Sequence, residues 1–179
     1  MIPKGKGGFG GIGLVEVVWK ILSLILHRQL AEIQLPDVLH WFREGCGTGT
    51  ATLEAKLLQQ LAAMREEVLY VIFFDLTKAY DALDRSRTLD ILKGYGVGDR
   101  VRRLLATHWE RATMVARAER YYGTEFKGER GVTQGDPLSP IIFNVVVDAV
   151  VRHWLHLATQ EAERRGQRGS VDAIIPSSA

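Results

Sequence analysis

A single cysteine, Cys46, stands among 179 residues, so neither an internal disulfide nor a Cys-based zinc site can form. A disulfide-stapled secreted domain and a zinc ribbon are thereby excluded, and a reducing, cytoplasmic setting is expected. Long apolar runs are scarce as well. Residues 12–26 are interrupted by Glu16 and Lys20, and no run of about 18 uncharged apolar residues exists to cross a bilayer. No membrane partner is expected. The opening MIPKGKGGFGG has neither the apolar region nor the small-residue cleavage site of a secretory signal, so export is not expected. Charge of one sign is also lacking: 23 Lys and Arg face 21 Asp and Glu, a net of +2 that announces no nucleic-acid partner by itself. Internal repeats and low-complexity tracts are absent.

What remains is an ordinary globular composition, 46% hydrophobic and 25% charged, in a chain long enough for one domain with a smaller attached lobe. Charge is unevenly spread. Residues 85–130 hold eleven Lys or Arg against six Asp or Glu, which makes the middle third basic and the remainder net negative. Glycines at 5, 7, 8, 10, 11 and 13 predict a tight, mobile hairpin at the start. Residues 14–30 predict a mostly buried helix, ended before Pro36. After the Gly-rich elbow at 45–49, Thr50 is expected to cap a helix whose Leu53, Leu57, Leu58, Leu61 and Met64 form one apolar stripe.

Residues 68–76, VLYVIFFDL, read as a strand buried on both faces and ending on Asp75. Asp84 is placed to cap a helix through Lys93 that Gly94 ends. Asp99 is placed to cap another, in which Val101, Leu104, Leu105, His108 and Trp109 recur at helical spacing. Residues 113–118 and 124–128 predict a hairpin turning at 121–123. Ser139 followed by Pro140 is a helix start, opening a long helix to about Arg165, with a poorly ordered tail over 166–179.

Two segments could carry chemistry. In FFDLTKAYDALDR, Asp75 follows an apolar run, where an ionised carboxylate either meets water in a turn or faces a cation such as magnesium. Asp81 and Asp84 read as turn and capping residues. In RGVTQGDPLSP, Gln134 and Gly135 permit close approach of backbone and amide to a ligand, and the Ser139 helix start offers N–H groups suited to phosphate. The alternative is a loop that only caps a helix. The basic Arg100, Arg102 and Arg103 are either a solvated helix face or part of a nucleic-acid surface. GFGGIGLV matches a kinase-type glycine loop, but no V-A-I-K, H-R-D or D-F-G follows. G-x-G-x-x-G from Gly5 to Gly10 lacks the preceding strand of a dinucleotide site. The five histidines show no metal-ligand spacing.

Taken together, FFDLTKAYDALDR and GVTQGDPLSPIIFNVVVDAV resemble the first palm motif and the Gln-Gly-x-x-x-Ser-Pro motif of reverse transcriptases of the group II intron and non-LTR retroelement type. IPKGKGGFGGIGLVEVVWKIL and FREGCGTGTATLEA resemble the family's fingers hairpin, its following helix and the next fingers motif, so the resemblance spans residues 2–158. It implies an α+β fold, a polymerase right hand's fingers and incomplete palm with helices packed on a small, mostly antiparallel sheet. Fingers are expected over 1–66 and partial palm over 67–165. It further implies that Asp75 is a catalytic ligand of magnesium, and that Tyr80 lies under the incoming sugar and rejects a 2′-hydroxyl. Gln134 and Gly135 would line the nascent base pair and template, Lys4 would reach the triphosphate, and Arg43 would touch template phosphate. The implied partners are an RNA template, a DNA primer and deoxynucleoside triphosphates.

This sequence departs from the family pattern in specific places. No aromatic-Ala-Asp-Asp motif is present, and Asp172 in GSVDAIIPSSA has no adjacent second carboxylate. Gly10 stands where the family's hairpin presents an arginine, and Trp41 and Cys46 replace a small and a basic residue. Because two-metal chemistry needs more than one protein carboxylate, the isolated chain is expected to show little polymerase activity, with a C-terminal palm and thumb lying outside it. The alternative is a non-catalytic RNA-binding module that uses the basic middle third.

Overall fold

A computed structural model describes residues 2–4, 8–10, 12–36, 39–40, 45–118 and 120–165. In chain order the elements are β1 (Ile2–Lys4), β2 (Gly8–Gly10), α1 (Val17–Leu30), α2 (Thr48–Met64), α3 (Ala79–Ala82), α4 (Arg85–Gly94), α5 (Asp99–Arg111), β3 (Thr113–Ala118), β4 (Tyr121–Lys127) and α6 (Ser139–Arg164). The fold is α+β, with strands paired as two antiparallel hairpins, β1 with β2 and β3 with β4. The chain divides into two compact units, Met1–Ile33 with Thr77–Val146, and Gln34–Leu76 with Val147–Ala179. The tail expected over 166–179 lies outside the described residues.

The first unit contains every buried apolar side chain among the described residues: Leu26 and Leu30 of α1, Leu92 of α4, Val97, Leu105 of α5, Val132, Leu138 and the start of α6 from Ile141 to Val146. α1 joins this core by one narrow stripe, Ser23, Leu26 and Leu30. Val17, Val18, Ile21, Leu24 and Ile25 are exposed, so the mostly buried helix expected here is corrected to a helix with one buried edge. α4 begins as the sequence indicates, with the Asp84 carboxylate accepting the Arg87 N–H at 2.9 Å. That bond is the largest of the effects holding the Asp84 carboxyl below its ordinary range. In α5 the cap is Gly98 and Asp99 is the first helical residue, where its charge complements the helix dipole and pairs with Arg102 and Arg103. β4 begins at Tyr121 rather than Thr124. Residues 121–123 therefore belong to the ladder, and a register shift between Val115 and Arg117 absorbs the mismatch.

In the second unit, α2 starts after Gly47, and Thr50 is not the cap but the third helical residue. Its hydroxyl accepts the Gly47 N–H at 2.9 Å and the capping role is shared with glycine backbone. Thr50 Oγ1 also meets His40 Nδ1, while His40 Nε2 meets Glu54, so one imidazole ties the preceding loop to the helix. α2 has no buried residue, and its apolar stripe is open, Met64 being 84% exposed.

Residues 68–76 depart furthest from expectation. They form neither strand nor helix, and Phe73 and Phe74 are 91% and 75% exposed. A strand exists only where its N–H and C=O groups find a ladder, and among the described residues none lies beside this segment. α6 alone among the described helices has the length and apolarity of a membrane span. Its first turns, however, are packed as a core helix, with Ile142, Phe143 and Val145 buried.

Candidate functional site

Tyr80 lies on α3, a single turn entered through Lys78, whose φ of 49° is left-handed. Its ring sits 5.1 Å from Phe143 of α6, tilted by 60°, and burial raises the phenol's pKa above its ordinary value. The loop after β4 is fastened directly to this turn. Gly131 N–H donates to the Leu83 carbonyl at 2.8 Å and Val132 N–H to the Tyr80 carbonyl at 3.1 Å. Only glycine fits at 131: φ is +78°, and a Cβ there would stand 2.7 Å from the Tyr80 carbonyl oxygen.

Arg85, the first residue of α4, holds the same loop from the other side. Its guanidinium donates to the Gly131 carbonyl at 2.9 Å, to Trp109 at 3.0 Å and to Gly128, and lies 5.9 Å from the centre of the Trp109 ring. Burial lowers its pKa, since the cation trades water for carbonyl oxygens.

Gln134 and Gly135 follow in the same loop and are both exposed. The Gln134 carbonyl accepts the Gly13 N–H at 2.7 Å, so its backbone is engaged by the segment leading into α1. Gly135 has a φ of +113° and passes so close to the Gly13 carbonyl that a side chain there would collide with it.

The start of α6 differs from expectation. The Ser139 hydroxyl donates to the Thr133 carbonyl at 2.7 Å instead of capping the helix. Asp136 instead organises the turn that leads into the helix: Oδ1 accepts the Leu138 N–H at 3.0 Å, and its carbonyl accepts the Ser139 N–H at 3.1 Å. With those donors used, Pro140 lacking one, and a carboxylate in place, this helix start does not suit phosphate. Oδ2 of Asp136 accepts the indole N–H of Trp19 at 2.6 Å, the His108 ring stacks on that indole, and His27 Nδ1 meets the Pro137 carbonyl at 3.0 Å. Local sequence gives no sign of Trp19 or Arg85 in these roles, since their partners are far along the chain. Asp136 was accessible, because Asp-Pro ahead of a helix is a recurrent turn and capping signature.

Of the residues singled out by sequence, Tyr80, Gln134 and Gly135 thus share one unit and one bonded framework. Asp75 belongs to the second unit and is exposed. Lys4 pairs with Gly8 in the β1–β2 hairpin through its backbone, and Arg43 lies outside the described residues. Among the described residues no group of three or more His, Cys, Asp or Glu is placed to hold a metal ion. One carboxylate does not hold two cations, so the described residues do not fit a two-metal centre.

A sequence profile described as reverse transcriptase (RNA-dependent DNA polymerase) matches residues 2–163. The chain is 28% identical over 160 residues to a retrovirus-related Pol polyprotein from the type-1 retrotransposable element R2 of Nasonia vitripennis, covering 85% of this chain and 15% of that protein. It is 30% identical over 109 residues to the Pol polyprotein of the type-2 element R2DM of Drosophila melanogaster, covering 61% and 10%. A type-1 R2 polyprotein of Popillia japonica is 29% identical over 138 residues, covering 73% and 19%. The chain therefore spans between a tenth and a fifth of the length of these relatives.

Proposed function

The chain belongs to the reverse transcriptase (RNA-dependent DNA polymerase) family, of the non-LTR retroelement type, and from that premise we propose that it carries the nucleotide and template face of a template-directed deoxynucleotidyl transfer site. The observation that carries this reading is the bonded framework joining Tyr80 to the Gln134–Gly135 loop through Gly131 and Val132, across more than fifty residues of sequence. An aromatic ring backed by Phe143 presents a flat surface to a sugar, and the exposed Gln134, its carbonyl already engaged, leaves its carboxamide for a base edge or template backbone. Such fixed positioning is what nucleotidyl transfer asks of the protein.

In the reaction the primer 3′-hydroxyl oxygen bonds to the α-phosphorus and gives up its proton to water, the bridging bond to the β-phosphate breaks, and pyrophosphate leaves with the electron pair. Tyr80 and Gln134 position the reactants. Asp75 is proposed as one carboxylate for magnesium, in a centre these residues do not complete. Lys4 and Arg43 are proposed to meet triphosphate and template phosphate. The isolated chain should accordingly bind a DNA primer on an RNA template without extending it.

A second reading has its own support. β4 exposes Tyr121, Tyr122, Phe126 and Lys127, and the guanidinium of Arg117 on β3 lies 5.3 Å from the centre of the Tyr122 ring. Aromatic and basic groups interleaved on an open hairpin suit stacking with single-stranded RNA. Incubating the chain with a labelled primer on an RNA template, magnesium and deoxynucleotides separates the readings. The primary reading predicts binding that depends on recession of the primer end, with little extension. Equal binding of single-stranded RNA lacking any primer favours the second, and strong extension abolished by Asp75→Ala overturns the proposed inactivity.

A further inference from the structure

Asp136 and Trp19 stand outside every role so far assigned to the polymerase site, yet Asp136 directly follows Gln134 and Gly135 in the chain and is bonded to Trp19 of α1. The Asp136 side chain is 8% exposed, and both its oxygens are committed, Oδ2 to the indole N–H of Trp19 at 2.6 Å and Oδ1 to the backbone N–H of Leu138 at 3.0 Å. Trp19 is itself held in place by the His108 ring stacked on it. The carboxylate therefore joins three things at one point: α1 through Trp19, the start of α6 through Leu138, and the turn containing Gln134 through its own backbone. Two residues upstream, that turn meets the chain entering α1 again, Gln134 carbonyl to Gly13 N–H at 2.7 Å, with Gly135 pressed against the Gly13 carbonyl. A third tie, His27 Nδ1 to the Pro137 carbonyl at 3.0 Å, lies two turns further along α1.

We propose that Asp136 is a positioning residue, whose two-oxygen clamp on Trp19 and Leu138 fixes the Gln134–Gly135 turn against Gly13 and so sets where Gln134 meets its ligand. The inference deepens the polymerase reading and rests on it for the identity of that ligand. The chemistry is specific to a carboxylate. Both partners are donors, so both arms must be acceptors, and a carboxamide offers only one acceptor oxygen with an NH2 facing the second donor. Asp136→Asn is nearly isosteric and still breaks one arm. Trp19→Phe keeps an aromatic ring for His108 to stack on, removes the indole donor and leaves Oδ2 buried without its partner.

The experiment follows amide and indole hydrogen exchange by NMR in the intact chain, together with equilibrium binding of an RNA–DNA primer–template. In the unaltered protein the Trp19 indole N–H should exchange at least about tenfold more slowly than a free indole, and the Gly13 amide should be protected. Asp136→Asn and Trp19→Phe should each speed Gly13 exchange by about tenfold while amides of α4 and α5 keep their protection. Primer–template affinity should fall by a similar factor in each, and the double variant should be little worse than either single one. A Trp19 indole N–H that exchanges freely in the unaltered chain overturns the proposal without any variant. So does unchanged Gly13 protection in both variants, or loss of protection throughout α4 and α5 along with it, which marks a merely structural bond. Absence of primer–template binding by the unaltered protein overturns the polymerase reading instead, while Gly13 exchange still decides the role of Asp136.

Discussion

Arg85 reaches the carbonyls of Gly128, Gly131 and Trp109 with one guanidinium, and no smaller side chain replaces that fork. Arg85→Ala should cost roughly 2–4 kcal/mol, read from urea unfolding, because three carbonyls lose a charged donor together. Gly131→Ala meets a different obstacle. Its φ of +78° and the backbone of Tyr80 and Asp81 leave no room for a methyl group, so a loss of about 2–3 kcal/mol is expected. His108 gives the residue scale its pH dependence. Burial, the largest effect, lowers its pKa below the ordinary value, assisted by Arg85 and opposed by Asp136 and Glu16. The unfolded chain therefore binds this proton more readily than the folded one, so stability is complete above about pH 6.5 and falls as pH drops through 6.5 toward the lower folded value. His108→Phe should flatten that slope in unfolding measured between pH 5 and 7.5 while keeping a ring against Trp19.

Whether an element could be read from the sequence depended on how local its causes are. The α4 start at Asp84 and the α6 span were legible because a capping side chain or a Ser-Pro pair acts within one turn. Gly98 replaces Asp99 as the cap of α5, one residue from the expected position, which is the usual uncertainty of helix ends, while the Ser139 hydroxyl turns back to the Thr133 carbonyl rather than capping α6. Residues 68–76 differ from the expected strand for a deeper reason. An apolar run states a propensity for burial, but a strand also requires a neighbour, and no property of VLYVIFFDL supplies one. The stripe on α2 teaches the same lesson, being periodic and uncovered. Leu57→Gln on that stripe should change stability by no more than about 0.5 kcal/mol, whereas Leu105→Ala, fully buried in α5, should cost about 2–5 kcal/mol. Chemical unfolding of the two variants side by side checks the contrast.

At the scale of the whole molecule, the buried apolar side chains of the described residues all belong to the unit that also holds Tyr80, Gln134 and Gly135. A site whose parts come from α3, the loop after β4 and the entry to α1 is kept in register by that core. The palm motifs, with their order and separation, made those three residues legible as a group. The bonds that join them run through Gly13, Trp19 and Arg85, whose pairings are tertiary and carry no local signature. The most direct test of the account is a double-mutant cycle on primer–template affinity using Tyr80→Ala and Gln134→Ala, with folding of each variant verified by its thermal transition. Salt-dependent binding by the unaltered chain is expected, with weakening of about tenfold for each single change and a combined loss clearly smaller than the product, the outcome for two residues proposed to serve one bound nucleotide. Binding unaffected by either change, or losses that multiply as for unrelated sites, would contradict it.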